Sequence, residues 1–239
     1  MALDLPPQLL LPRGSVLSHA SAARFWQLPL PVDHDALVHL TLPMCRGRWA
    51  QTLAVVHRRD LAPPDIVKHD GLLITSAMRT LLDLPSLLPL GASVAAADAA
   101  LRLGLVTRPE LLSATGVVMG RGAKAIRSMG RLADASAESP LESEARVLLT
   151  LADLAPPETQ YTLRDNGLFI ARLDFAWPDS RDGLQADGFE FHSEREDYRR
   201  DREQDNAFKR LRWNVPRVCW EHVYREPDYV IDLMRSLVA

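Results

Sequence analysis

Two cysteines occur, Cys45 and Cys219, and neither belongs to a CxxC pair. A disulfide framework and a cysteine-ligated zinc site therefore have no support, and two scattered thiols suit a reducing compartment. Nowhere do about 18 apolar residues follow one another, the length a membrane span requires. The opening MALDLPPQLLLPRGS lacks the basic start and long apolar run of a secretory leader. A cytoplasmic protein with no membrane partner is the expectation. Charge of one sign is also lacking: the formal net charge is -3, which removes any global attraction to nucleic acid and leaves that task to a local patch. Lysine is confined to Lys68, Lys124 and Lys209, but in a chain rich in Ala and Leu the preference for Arg fits codon bias as well as phosphate recognition and assigns no function.

What is present is ordinary globular material. The 239 residues are 47% hydrophobic and 25% charged, enough for one large domain or two ordinary ones with a real core. Residues 1–14 are proline-rich and read as a flexible arm. Ser15 to Trp26 carries Leu17, Ala20 and Ala23 near one stripe, the spacing of an amphipathic helix. His19 within it reads as a helix-face or capping histidine, since no second His or Cys stands at a chelating spacing. Short β-like runs follow at 36–42, 53–57 and 72–75, and His39 and His57 on them read as structural. Helices are expected over 76–84, 92–103 and 123–132, with Thr107 and Glu110 as a capping box between the last two. Arg121, Lys124, Arg127 and Arg131 read as a solvated face.

A boundary is expected in the small, polar stretch DASAE at 134–138, followed by a helix with Ser139 as N-cap, Pro140 at its first position and Glu142 at its third. Asp165-Asn166-Gly167 then signals a hairpin turn. The stretch NGLFIARLDFAWPDSRDGLQADGFEFH, from Asn166 to His192, reads as two adjacent strands. Period-two alternation puts Phe169, Ala171, Leu173, Phe175 and Trp177 on one face, with Ile170, Arg172 and Asp174 on the other. On the second strand, 184–191, Gln185 and Asp187 share a face, and pairing across the turn brings Asp174 near both. Oxygen ligands gathered in this way can hold a divalent cation, although acidic residues near strand ends are more often solvated turn residues. A long helix from about residue 194 to 212, a strand at 215–220 and a terminal helix opened by Pro227 complete the chain.

The motifs SPLE at 139–142, RLDFAWP at 172–178, ADGFEFH at 186–192, DREQDNA at 201–207 and VPRV at 215–218 stand in this order of elements. The region resembles very short patch repair endonucleases, of the restriction-endonuclease-like PD-(D/E)XK superfamily. Residues 15–132 resemble, more weakly, the abortive-infection antitoxin-like region that precedes such domains in actinobacterial proteins, with the usual winged helix expected to be absent. The resemblance implies an α/β (α+β) chain. Its parts are an arm (1–14), a smaller antitoxin-like α/β region (15–137) and a restriction-endonuclease-like domain (138–239) with a mixed central sheet flanked by helices.

It also implies a Mg²⁺- or Mn²⁺-dependent phosphodiesterase acting on DNA. Asp174 matches the family's metal aspartate, Asp187 and His192 match polar positions of the second strand, and Glu142 matches a helix carboxylate that assists the metal through a water. Gln185 departs from the usual glutamate, and the backbone carbonyl of Ala186 can stand in for it, as short patch repair enzymes do. Arg212 stands where a glycine is usual. The leading expectation is a DNA endonuclease or nicking enzyme; the alternative is a nucleic-acid-binding or antitoxin-like regulator whose site has decayed. A module that binds a protein partner through its first half is the third.

Overall fold

Hydrogen bonding divides the strands into two sheets, which belong to two compact units, Met1–Ala135 and Ser136–Ala239. The structure is a computed structural model and describes residues 11–31, 37–44, 53–187 and 195–238.

In the first unit the strands are β1 (Val16–Leu17), β2 (Val38–Leu42), β3 (Ala54–Arg58), β4 (Ile66–His69) and β5 (Leu72–Thr75), in the spatial order β3-β2-β1-β5-β4. Both parallel pairs, β1 with β5 and β2 with β3, and antiparallel pairs, β1 with β2 and β4 with β5, occur, so the sheet is mixed. The helix expected from Ser15 begins only at His19 (α1, His19–Phe25), because Val16 and Leu17 are spent on the central strand, bonded on both sides and buried. Helices α2 (Ala77–Asp83), α3 (Leu90–Arg102), α4 (Arg108–Gly116) and α5 (Ala123–Leu132) follow; α1 and α2 pack on the sheet, while α3, α4 and α5 pack on α2 or on one another, and α4 starts with the expected Thr107–Glu110 capping box. In α3 the run from Ala92 to Ala100 is buried throughout, which its small side chains permit. Strand β4 was not expected from sequence. It forms a hairpin with β5 closed by Asp70 and Gly71 at φ 48° and 81°, a two-residue turn in which both residues are left-handed.

The second unit runs α6 (Pro140–Leu151), β6 (Glu158–Asp165), β7 (Leu168–Trp177), β8 (Asp182–Asp187), α7 (Arg195–Leu211), β9 (Arg217–Cys219), α8 (Trp220–Arg225) and α9 (Pro227–Val238). The sheet order is β6-β7-β8-β9, antiparallel except for β8 with β9. Ser139 Oγ accepts the Glu142 N–H, as an N-cap should, and Asn166 and Gly167, left-handed at φ 48° and 85°, close the β6–β7 hairpin. Strand β8 is described only to Asp187; the remainder of the expected 184–191 run lies outside the described residues. The expected 215–220 strand is shortened to β9, and Trp220 starts α8, a helix not expected from sequence.

The simple alternation expected along β7 is corrected at its middle. Ala171 and Leu173 join Leu163, Ala176 and Phe208 in one buried cluster, whereas Phe175 and Trp177 join Leu141, Ala145, Leu149 and Leu184 in another. Leu173 and Phe175 therefore face opposite ways, and the pleat slips by one residue at Asp174. Phe169, expected in the buried row, is exposed at the hairpin end, beyond a register shift between Leu163 and Arg164. The whole is an α+β fold of two mixed sheets flanked by helices. Among the described residues no helix is long and apolar enough to cross a membrane.

Candidate functional site

Strands β7 and β8 pair from Trp177↔Asp182 to Phe175↔Leu184 and then stop, while β8 continues with β9 through Gln185↔Arg217, Ala186↔Val218 and Asp187↔Cys219. The sheet thus forks where Asp174 and Gln185 would face each other. Asp174 Oδ2 bridges the fork by accepting the Ala186 N–H at 2.8 Å. On the other side of β7, Gln160 of β6 stands opposite Asp174 with φ 53°, a left-handed conformation that a side-chain-bearing residue adopts only when its surroundings hold it there. The slip in β7, the left-handed residue in β6 and the fork all coincide at one carboxylate.

Around it the side chains are polar and mostly acidic. Glu142, 7% exposed, accepts from the Glu138 N–H at 3.0 Å and from Gln160 Nε2 at 2.8 Å through the same oxygen. Arg172 pairs with Glu138, and Arg217 reaches Asp187 at 3.5 Å and the Gln204 side chain at 3.1 Å. Two buried amide oxygens, Gln160 Oε1 and Gln185 Oε1, have no hydrogen-bond partner among the described residues. Burial pushes the Asp174 carboxyl up from 3.8 to about 6. The Ala186 N–H and Arg172 oppose that rise, and the charges of Glu142 and Asp187 add to it. A half-buried acid that titrates near neutrality beside two more acids is a functional-site signature in physical terms.

Of the residues singled out from sequence, the fold brings together Asp174, Glu142, Gln185, Ala186 and Asp187. His192 lies outside the described residues. Ala186 meets Asp174 through its N–H. Sequence reasoning did not single out Gln160, Glu138 or Arg217 for the site. Arg217 is recoverable once β8 and β9 are read as parallel neighbours, but nothing local announces the left-handed turn at Gln160.

The donors at the fork are all oxygen, as hard cations require, and crowded like charges in a partly buried place are relieved by a cation. Two orphaned amide oxygens can complete a coordination sphere without adding charge. Asp174, Asp187 and the neutral amide oxygens are the groups here that could hold a divalent cation. No preassembled group of three His, Cys, Asp or Glu able to hold a metal occurs among the described residues.

The first unit holds a second concentration of polar groups, and it corrects the reading of three separate histidines. His39 on β2 and His57 on β3 are joined by an Nδ1 to Nε2 hydrogen bond of 3.0 Å, and the His19 ring stacks on His57 with centroids 3.5 Å apart. His19 is left-handed at φ 49° and 6% exposed. Burial, reinforced by His57, His39, Arg79 and Arg59, drives it down from 6.5 to about 2, and burial lowers His57 to about 4. Both are neutral imidazoles at physiological pH.

Two curated relatives, uncharacterized proteins from two strains of Mycobacterium tuberculosis, are each 32% identical to this chain over 196 residues, covering 82% of it and 71% of their own length. The chain belongs to their family. An alignment of this extent takes in residues of both units. No family model and no solved structure matches the chain.

Proposed function

We propose that the unit Ser136–Ala239 is a divalent-cation-dependent phosphodiesterase that cleaves or nicks DNA in the cytoplasm, in the manner of very short patch repair endonucleases. The observation that carries this reading is Asp174: a half-buried carboxylate at a strand fork, raised to about 6, with Glu142 and Asp187 close enough for their charges to be felt. Asp174 and Asp187 would hold Mg²⁺ or Mn²⁺, with the Gln185 and Gln160 amide oxygens as neutral partners. The cation, when bound, polarises a phosphoryl oxygen and lowers the pKa of a water. The chain's own residues do the positioning. The Ala186 N–H fixes the direction of the Asp174 carboxylate, and Glu142, tied by Glu138 and Gln160, stands behind it as a buried charge.

The purified chain incubated with supercoiled plasmid and Mg²⁺ or Mn²⁺ should convert it to nicked or linear forms. Conversion should stop with EDTA and in Asp174→Ala. Cleavage that survives Asp174→Ala would remove this site from the reaction.

A second reading is supported by Gln185, an amide where the resembling enzymes usually carry an acid, together with the lack of a ready three-residue metal group among the described residues. On that reading the second unit is a nucleic-acid-binding regulator with a lapsed site. Its expected signature is DNA binding without metal binding and without nicking.

A further inference from the structure

In the first unit a cavity of about 490 Å³ opens beside the histidines, and among the groups lining it are His19, His57, Arg58, Arg59, Asp83 and Arg121. Its volume is that of a small-molecule site and far below that of a duplex groove. Among the described residues Asp83 is the sole acidic side chain in the lining, and it is already paired: it is 4% exposed, accepts from Arg79 Nε at 3.1 Å and pairs with the Arg79 guanidinium a second time. The described lining also holds three guanidinium groups, those of Arg58, which donates to the Pro43 carbonyl, Arg59 and Arg121. Arg121 is exposed, and Arg59 is largely exposed with Asp83 3.9 Å away. Gly122, also in the lining, precedes the first turn of the ten-residue helix α5, whose N–H groups point out of that end.

The floor supplies a second, independent sign. Thr41 Oγ1 donates to Ser18 Oγ at 2.8 Å, so the single Ser18 hydroxyl proton is free to go to His19 Nδ1, 2.9 Å away. With Nδ1 as the acceptor both hydroxyl protons find a partner, and in that tautomer the imidazole proton resides on Nε2. The residue is more than nine-tenths buried and lines the cavity, so this N–H is the donor it can offer there.

We propose that this cavity binds a phosphate monoester, with Arg59 and Arg121 contributing the charge at the mouth and the His19 Nε2–H as the buried donor. Guanidinium forks suit a tetrahedral dianion, and a helix N-terminus adds backbone donors aimed the same way. The neutral state of His19 makes it a donor of fixed direction and not a competing cation. The same phosphate chemistry can arrive on a free nucleotide or on the 5′ end of a nucleic acid strand.

The test is calorimetry on the full chain in EDTA. The probes are inorganic phosphate, 5′-AMP, adenosine, and a single-stranded oligonucleotide in 5′-phosphorylated and 5′-hydroxyl forms. Phosphate and 5′-AMP should bind and adenosine should not. The phosphorylated oligonucleotide should exceed its hydroxyl twin if a chain end can enter, whereas binding of 5′-AMP alone assigns the site to a small molecule. Arg59→Gln and Arg121→Gln, both at exposed positions, should each weaken 5′-AMP binding by roughly tenfold, the scale of one charge-assisted hydrogen bond. Arg225→Gln, in the other unit, should leave it unchanged. No phosphate-dependent binding by any probe, or equal affinity in both cavity variants and wild type, overturns the proposal.

Discussion

Asp174 Oδ2 and the Ala186 N–H are joined at 2.8 Å across the gap where β7 and β8 cease to pair. The bond replaces a missing rung of the ladder with a side chain, and it leaves the carboxylate half-buried among acids. Such a group works against the stability of the fold at neutral pH, and that can be measured.

For Asp174 the folded pKa of about 6 lies above the ordinary 3.8. The folded state therefore binds more protons than the unfolded state between these values, and stability falls as pH rises from about 4 to about 6. The loss, on the order of 1–3 kcal/mol, is complete above that window. Asp174→Asn keeps an oxygen for the Ala186 N–H and never ionises. It should melt higher than wild type at pH 7.5 in EDTA, and nearly level with it at pH 4. Glu144, which burial raises to about 7 against the opposing Tyr224 hydroxyl bond, is present in both proteins and cancels in the difference. A Tm difference that does not change with pH would remove burial strain from Asp174.

Arg212 tests a different kind of strain. It follows α7 with φ 59°, its N–H bonded to the Lys209 carbonyl and the Trp213 N–H to the Phe208 carbonyl. This is the two-bond helix ending that favours glycine at the left-handed position. A glycine was the residue expected there from the resemblance, and the geometry supplies the reason. Relief of left-handed strain outweighs glycine's greater unfolded-state entropy, so Arg212→Gly should stabilise by about 0.5–1 kcal/mol in urea unfolding. Arg212→Ala, which keeps the strain, should not.

Gly130 makes the opposite case in the first unit. A Cβ there would lie 2.2 Å from Thr115 Oγ1 and 2.8 Å from Thr115 Cβ, with Thr115 buried and its hydroxyl donating to the Leu111 carbonyl. Alanine would gain about 1 kcal/mol of helix propensity, but overpacking costs about 1–3 kcal/mol, and a Cβ fixed to the α4 backbone cannot swing away. Gly130→Ala should therefore destabilise, with partial recovery when Thr115→Ala is added. An increase in thermal stability for the single variant would mean that α4 and α5 separate without cost.

The pattern of what could be read follows from how local each cause is. The Ser139 cap, the Thr107–Glu110 box and the Asn166-Gly167 turn are each settled within four residues, and all three formed. Asp70-Gly71 carried the same turn signal and went unread because the strands it joins are only four residues each. The carboxylates Asp174, Glu142 and Asp187 could be named from motif order, yet the fork that raises Asp174 depends on β8 leaving β7 for β9, a choice made by distant residues. The histidine cluster is of the same kind. His39 and His57 are eighteen residues apart and meet only because β2 and β3 are parallel neighbours in one register, while His19 joins them from a helix start that the amphipathic stripe had placed four residues too early.

Gln185 separates the two readings of the second unit. Its Oε1 is buried at the fork without a partner among the described residues, so Gln185→Glu would place a further carboxylate there at nearly the same volume. Without metal, that charge adds to those of Glu142 and Asp187, and the variant should melt lower than wild type at pH 7.5, the difference shrinking at acid pH as the cluster takes up protons. With Mn²⁺, which oxygen and nitrogen ligands hold more tightly than Mg²⁺, the same charge becomes a ligand. The variant should then gain more Tm from Mn²⁺ than wild type does, because a ligand that binds only the folded state stabilises in proportion to the logarithm of its concentration over Kd. Adding Asp174→Asn should abolish most of that gain. Plasmid nicking measured on the same proteins completes the decision. Tighter metal binding accompanied by nicking at lower Mn²⁺ identifies a live site, and tighter binding without nicking identifies a lapsed one. If Mn²⁺ shifts the melting of neither protein, the fork does not bind metal and the phosphodiesterase reading fails.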